Sequence, residues 1–208
     1  LPDTAFDMTG WSDRRPFRTQ AADYSRRVLG EFDVPDPLIL SRWAQLDIRN
    51  GLGLEAEMLL DAFPGVAPEE ALYRDLARTV EGRPLGPGGP LSRQTACPGA
   101  HGLWQALGGA VPAYRSAEHF AGVQSALGDL PPDMRLRLGP MLITRLLDAD
   151  EESAARLVYD TVARVPGERS PDLVLAEARL VAAEGNPVPA LQALTGLVES
   201  DAPNGAEA

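Results

Sequence analysis

The chain has 208 residues, a formal net charge of −11 and a pI near 4.6, and each of its 19 basic residues is arginine. Such a negative field repels nucleic acid phosphates and anionic lipid surfaces, so we expect no nucleic acid partner. Membrane insertion is not expected either, because no apolar run approaches the ~18 residues that a membrane helix needs.

The first elements predicted along the chain are a lead-in and a helix. Residues 1–18 show no sustained period, and we expect them to lie extended on the helices. Three aromatic residues are candidate anchors of this lead-in: Phe6, Trp11 and Phe17. A first helix is predicted over residues 21–32. Asp36 is the predicted N-cap of the next helix, with Pro37 at its first position.

Composition and the positions of proline and glycine predict the domain organisation. Aromatic residues are only 6% of the chain, alanine and leucine carry the packing, and no strand-like alternation stands out, which indicates an all-α protein. We expect an N-terminal helical subdomain over 19–81 and C-terminal helical repeats over 101–200. The Pro/Gly-rich residues 82–100 between them predict a loop, either a hinge or a surface wrap. Residues 201–208 predict a disordered tail.

One helical hairpin pattern occurs three times. In residues 171–200, an apolar stripe at helical spacing is broken by Gly185-Asn186-Pro187 and then resumes. The same pattern fits residues 38–68 and 136–166. Three alanines mark equivalent positions early in the second helices: Ala56, Ala154 and Ala190. Their separations are close to one and three periods of about 34 residues.

These hairpins resemble the tetratricopeptide-repeat family. The resemblance covers about half the chain and rests on a small residue in the first helix, glycine at the turn and proline at the end. The residues that carry it are Ala44, Ala178, Gly51, Gly185, Pro68 and Pro166. The chain departs from the pattern at Ala149, which replaces the turn glycine, and at Asp47 and Arg145, where an aromatic residue is usual. The resemblance implies an α-solenoid, a right-handed superhelix of antiparallel hairpins whose groove binds proteins or peptides.

The predicted partner-binding residues lie on the first helices, on the side away from the second helices. They are Ser41, Gln45 and Arg49 in the first unit, and Arg179 in the last, where Asp172 and Leu175 share its face. The two arginines can pair with peptide carboxylates, or they can cover apolar surface with their stems and keep their heads in water. We therefore expect a non-catalytic scaffold or adaptor that binds a protein or peptide.

The alternative function is a helical accessory domain of a larger bacterial envelope enzyme, such as a lytic cell-wall enzyme. The chain does not begin with methionine, and we take it as a processed protein or an excised domain. The arginine bias is typical of high-GC bacterial coding, and the single cysteine fits a cytoplasmic or a periplasmic location equally well. The oligomeric state is not predicted.

No catalytic residue, metal ligand or cofactor is predicted. Cys97 and His101 are four residues apart, but a zinc site needs about four ligands, and only His119 could add an imidazole. Cys97 is therefore interpreted as a packing thiol. The acidic pairs Glu69-Glu70 and Glu151-Glu152 stand at predicted helix N-termini, where capping explains them.

Overall fold

The structure is a computed structural model that describes residues 3–93, 99–109, 117–167 and 169–201. Across these residues the chain forms helices and no strand, which confirms the all-α prediction. The α-helices are α1 Phe17–Arg27, α2 Pro37–Arg49, α3 Gly53–Ala62, α4 Glu70–Val80, α5 Pro90–Arg93, α6 Ala100–Leu107, α7 Ala117–Asp129, α8 Pro132–Asp148, α9 Glu152–Ala163, α10 Pro171–Ala183 and α11 Pro187–Asp201. Within the described part, none of them is both long and apolar enough to cross a bilayer.

The chain folds as two compact units, an N-terminal unit that ends at Met134 and a C-terminal unit that begins at Arg135. The division therefore falls later than the predicted loop at 82–100. The described part of that loop belongs to the N-terminal unit, whereas residues 94–98, with Cys97, lie outside the described residues. The predicted tail is also outside them from residue 202 onward.

Three hydrogen bonds fix the described part of the loop in the N-terminal unit. The Leu91 N–H donates to the buried carboxylate of Asp75 at 2.9 Å, and Gln105 donates to the Leu91 carbonyl at 2.8 Å. The Leu85 N–H donates to the Gly108 carbonyl at 3.1 Å. Gly89 is required beside Asp75, because a Cβ there would lie 2.2 Å from Oδ1. A proline- and glycine-rich segment thus packs tightly once a buried acid caps its short helix α5.

Side-chain acceptors hold the starts of α2 and α3 in the N-terminal unit. Asp36 accepts from the N–H groups of Leu38 and Ile39 at 2.8 and 3.1 Å, and Pro37 is the first residue of α2, as predicted. Helix α3 has no cap of its own. Glu81 at the end of α4 instead accepts from the Gly53 N–H at 2.7 Å. This contact holds α3 against α4 and satisfies a donor that would otherwise be orphaned.

The lead-in is folded into short helices and is not extended, and three of its side chains are buried. Two short 3-10 helices span Asp3–Phe6 and Met8–Trp11, and they bury Phe6, Met8 and Trp11. Phe6 and Trp11 are therefore confirmed as anchors, whereas Phe17 begins α1 and is only half-buried. The buried Gln20 of α1 fastens the end of the lead-in, since it accepts from the Asp13 N–H at 3.0 Å.

Helix α1 ends earlier than the predicted residue 32. After Val28 the chain closes a tight loop. The Gly30 N–H donates to the Val34 carbonyl at 2.9 Å, and the Asp36 N–H donates to the Val28 carbonyl at 2.8 Å. Phe32 at the tip has a φ of +61°, and 93% of it is exposed. The prediction missed this loop because a phenylalanine rarely adopts the left-handed conformation.

The C-terminal unit is held by small residues and a polar network. Ala154 and Ala190 are buried, as is Ala56 in the N-terminal unit. A Cβ on Gly139 of α8 would lie 2.3 Å from Val162 of α9, so these helices approach closely. Helices α9 and α10 share hydrogen bonds from Tyr159 to Glu177 and from Arg156 to Glu184.

Candidate functional site

The predicted groove face of α2 is mostly engaged inside the N-terminal unit. Ser41 is buried, and its hydroxyl donates to the Pro37 carbonyl one turn earlier at 2.8 Å. Gln45 is half-buried and donates to the Tyr73 hydroxyl at 3.0 Å, which in turn donates to Glu69 at 2.9 Å. Burial, reinforced by Glu69, raises the pKa of Tyr73 to about 12, so its phenol remains a hydrogen-bond donor at neutral pH.

The lead-in is the reason that this face is not open. The ring of Trp11 meets that of Tyr73 edge to face, with centroids 6.1 Å apart, and the 3-10 helix Met8–Trp11 packs against α2. The expectation that Ser41 lies in an open groove is therefore corrected: the residue is buried. Gln45 still lines a cavity of about 350 Å³ together with Arg42 and Trp11.

Arg49 is bound to a carboxylate of its own unit. Its guanidinium donates two hydrogen bonds to Asp133, one to Oδ1 at 2.8 Å and one to Oδ2 at 2.5 Å. Only 14% of the Arg49 side chain is exposed. A bidentate pair in this setting is well positioned, so a partner that binds Arg49 must first displace Asp133.

An open groove lies between α8 and α10 of the C-terminal unit. It encloses about 240 Å³ and is lined by Arg137, Pro140, Met141, Thr144, Asp172 and Leu175. Leu175 is 46% exposed, although it is a large apolar residue. Asp172 and Leu175 were both predicted to share the groove face of this unit, and the structure places both in the wall of the cavity.

Arg179 continues the α10 face one helical turn beyond Leu175. Its guanidinium donates to Asp148 Oδ1 at 2.7 Å, and the two side chains are 42% and 52% exposed. Exposed ion pairs of this kind contribute only about 0–1 kcal/mol, because water screens both charges. Among the four predicted site residues, Arg179 is therefore the one whose present partner is easiest to replace.

The residues that line the groove from α8 were not predicted as site residues. Arg137, Met141 and Thr144 are spaced by four and three, which places them on one side of a helix. Applying to α8 the spacing used for α10 would have found them. The prediction considered only the first and last units and did not extend that spacing to α8.

The remaining candidate chemistry lies in the N-terminal unit. His101 is buried, and its ring contacts Phe6 edge to face with centroids 6.1 Å apart. Trp104 is also buried, and its indole N–H has no hydrogen-bond partner among the described residues. No group of three or more His, Cys, Asp or Glu side chains that could hold a metal ion occurs in the described ranges.

Comparison of the chain with protein-family models, with curated proteins and with solved structures found no match.

Proposed function

We propose that the chain is a protein-interaction module that binds a short segment of a partner protein in the groove between α8 and α10. The observation that carries this proposal is the groove itself, an open cleft with an exposed leucine on the face of α10 where the repeat pattern expects a partner. The resemblance to tetratricopeptide repeats supports the same reading, since first helices line the groove in that family.

The chemistry of the groove favours a segment with an apolar anchor. Leu175 and Met141 provide apolar surface, and Thr144 adds a hydroxyl beside them. Burying a leucine or methionine side chain of the partner against such surface contributes about 1.5–3 kcal/mol. Interfaces commonly combine one such apolar anchor with a polar rim.

The charges at the groove favour an acidic group on the partner. Arg137 lines the cleft, and Arg179 follows Leu175 on α10. A carboxylate of the partner can take the place of Asp148 on Arg179, because that ion pair is exposed. Asp172 also lines the cleft and repels a second acidic group of the partner.

The test compares two exposed leucines of the C-terminal unit: Leu175 lines the groove, and Leu157 does not. Peptides are first selected from a random library on the wild-type chain. Leu175→Asp should then reduce the affinity of selected peptides at least tenfold, because it places a charge in the apolar part of the groove. Leu157→Asp, at a leucine of α9 that is 44% exposed, is the matched control.

A second variant tests the charge. Arg179→Glu should weaken peptides with a carboxylate by about fivefold and leave peptides without one unchanged. Affinities that are equal for wild type, Leu175→Asp and Leu157→Asp would place binding elsewhere and overturn the proposal. An equal loss in both leucine variants would mean that the effect is one of folding, which thermal unfolding measured in parallel would reveal.

A further inference from the structure

The N-terminal unit contains a cavity of about 540 Å³. It lies between the lead-in, the start of α6 and the second half of α7. Its buried wall is apolar and is formed by Phe6, Met8, Leu103, Trp104, Ala126 and Leu130. The volume is within the range of about 300–1,000 Å³ that is usual for small-molecule sites. The cavity is thus large enough to bury the apolar body of an organic ligand.

The charged side chains that line this cavity are acidic and lie at its rim, whereas the buried wall contains one indole N–H, that of Trp104. Asp7 and Asp129 both line the cavity and are exposed, whereas no arginine of the described residues does. The Asp7 carboxylate accepts hydrogen bonds from the N–H and the hydroxyl of Thr9, which lower its pKa and keep it ionised. Asp129 has no ion-pair partner among the described residues. Two negative charges therefore face a ligand that enters.

The helix ends at the cavity do not change this sign. Gly99 and Ala100, which line the cavity, mark the N-terminus of α6, and this terminus carries about half a positive charge. Helix α7 ends at Asp129, and its C-terminus carries about half a negative charge. These partial charges oppose each other. The two carboxylates then decide the field, because each carries a full charge.

We propose that this cavity binds a small organic cation, a molecule with an apolar body and an ammonium group. The apolar body packs against Phe6, Met8 and Trp104, and the ammonium group pairs with Asp129 and Asp7 at the rim. A bare metal ion fits less well, since the buried wall offers no oxygen ligand. This proposal is independent of the peptide groove, which lies in the other unit.

The experiment compares three probes of one shape and different charge. Phenylbutylamine is the cation, phenylbutanol the neutral analogue and phenylbutyrate the anion. Isothermal titration calorimetry of the wild-type chain at low ionic strength should give the tightest binding for the amine. The alcohol should bind about fivefold more weakly, as expected for one exposed ion pair, and the anion should bind weakest of all.

Three variants locate the binding. Asp129→Asn should weaken the amine about twofold to threefold, because Asp7 still pairs with the ammonium group, and should leave the alcohol unchanged. Ser125→Trp places a bulky ring at an exposed position of the rim and should abolish binding of all three probes. Asp33→Asn removes an exposed carboxylate of the same unit that does not line the cavity, and it should change nothing.

Two results would overturn the proposal. The first is an alcohol that binds as tightly as the amine, since the carboxylates would then contribute nothing to recognition. The second is binding of the amine that survives Ser125→Trp, because the amine would then bind elsewhere on this acidic chain. An absence of heat for all three probes at millimolar concentration counts equally against it.

Discussion

Asp47 makes the stability of the N-terminal unit depend on pH. The residue is on α2, near the turn to α3, and it is only 3% exposed. Among the described residues it has no ion-pair partner. Burial, with a smaller contribution from the charge of Glu55, raises the pKa of Asp47 from its ordinary value of 3.8 to about 7.

The sign of the effect follows from the direction of this shift. In the unfolded chain Asp47 loses its proton near pH 4, whereas in the folded chain it keeps the proton to about pH 7. Between these values the folded state binds more protons, so the free energy of unfolding falls as the pH rises. The loss is about 1.4 kcal/mol for each pH unit, and it reaches a ceiling of about 4 kcal/mol above pH 7.

Asp47→Asn removes the titrating group and keeps the shape of the side chain. We expect the difference in free energy of unfolding between the variant and wild type to grow by about 2 kcal/mol, in favour of the variant, as the pH rises from roughly 5.5 to 9. Urea unfolding followed by circular dichroism at several pH values measures this difference, and the chosen range stays above the pI. Glu55→Gln should reduce the pH dependence only slightly, because burial is its main cause. A difference between Asp47→Asn and wild type that is constant over the whole range would refute the reasoning.

Two further predictions concern the backbone. Gly53→Ala should lower the free energy of unfolding by about 1–3 kcal/mol or more, because its Cβ would lie 2.1 Å from the Ala77 carbonyl oxygen. Gly128→Ala in α7 should raise the free energy of unfolding by about 0.5–1 kcal/mol, because no atom lies within 4 Å of the added Cβ. Urea unfolding of both variants measures the two effects. Phe32→Asn should raise the urea midpoint, with a gain of about 0.5–1 kcal/mol, because asparagine tolerates the left-handed conformation and little burial is lost; a lower midpoint would show that Phe32 is stabilised by contacts.

Local signals predicted the helices well. The Asp36-Pro37 start of α2 has the expected cap, and the turn glycines Gly51 and Gly185 have φ angles of +76° and +85°. Where the middle hairpin lacks a turn glycine, Asp150 adopts a φ of +59° instead. Aspartate is one of the few residues that accept this conformation. Local backbone preferences therefore carried the prediction wherever a turn is decided by its own residues.

Long-range contacts are what the sequence did not reveal. The proline- and glycine-rich residues 82–100 were expected to form a loop between two subdomains, either a hinge or a surface wrap. Asp75, Leu91 and Gln105 hold the described part of this loop up to Arg93 inside one unit, and these three residues are as far as 30 positions apart in the chain. Composition predicts where a helix cannot form, but it does not predict which buried acceptor will receive a loop N–H.

The lead-in and α2 show how the same limit affected the binding site. A repeat template assigns one face of every first helix to the groove, so Ser41 and Arg179 were both expected to face a partner. The template does not show, however, which other segment of the chain packs against that face. Here Trp11 of the lead-in packs on Tyr73 beside that face of α2, and such an aromatic pair adds about 0.5–1.5 kcal/mol beyond the area it buries.

Arg49 and Arg179 also differ in how easily a partner can displace the carboxylate that each one binds. Displacing Asp133 from Arg49 breaks two hydrogen bonds to a side chain that is only 14% exposed, and a charge with less access to water loses more when its partner leaves. Displacing Asp148 from Arg179 exchanges one exposed carboxylate for another, which costs little. A partner's carboxylate can therefore bind Arg179 at little cost, whereas binding Arg49 is costly. For this reason we propose the peptide site in the groove of the C-terminal unit alone.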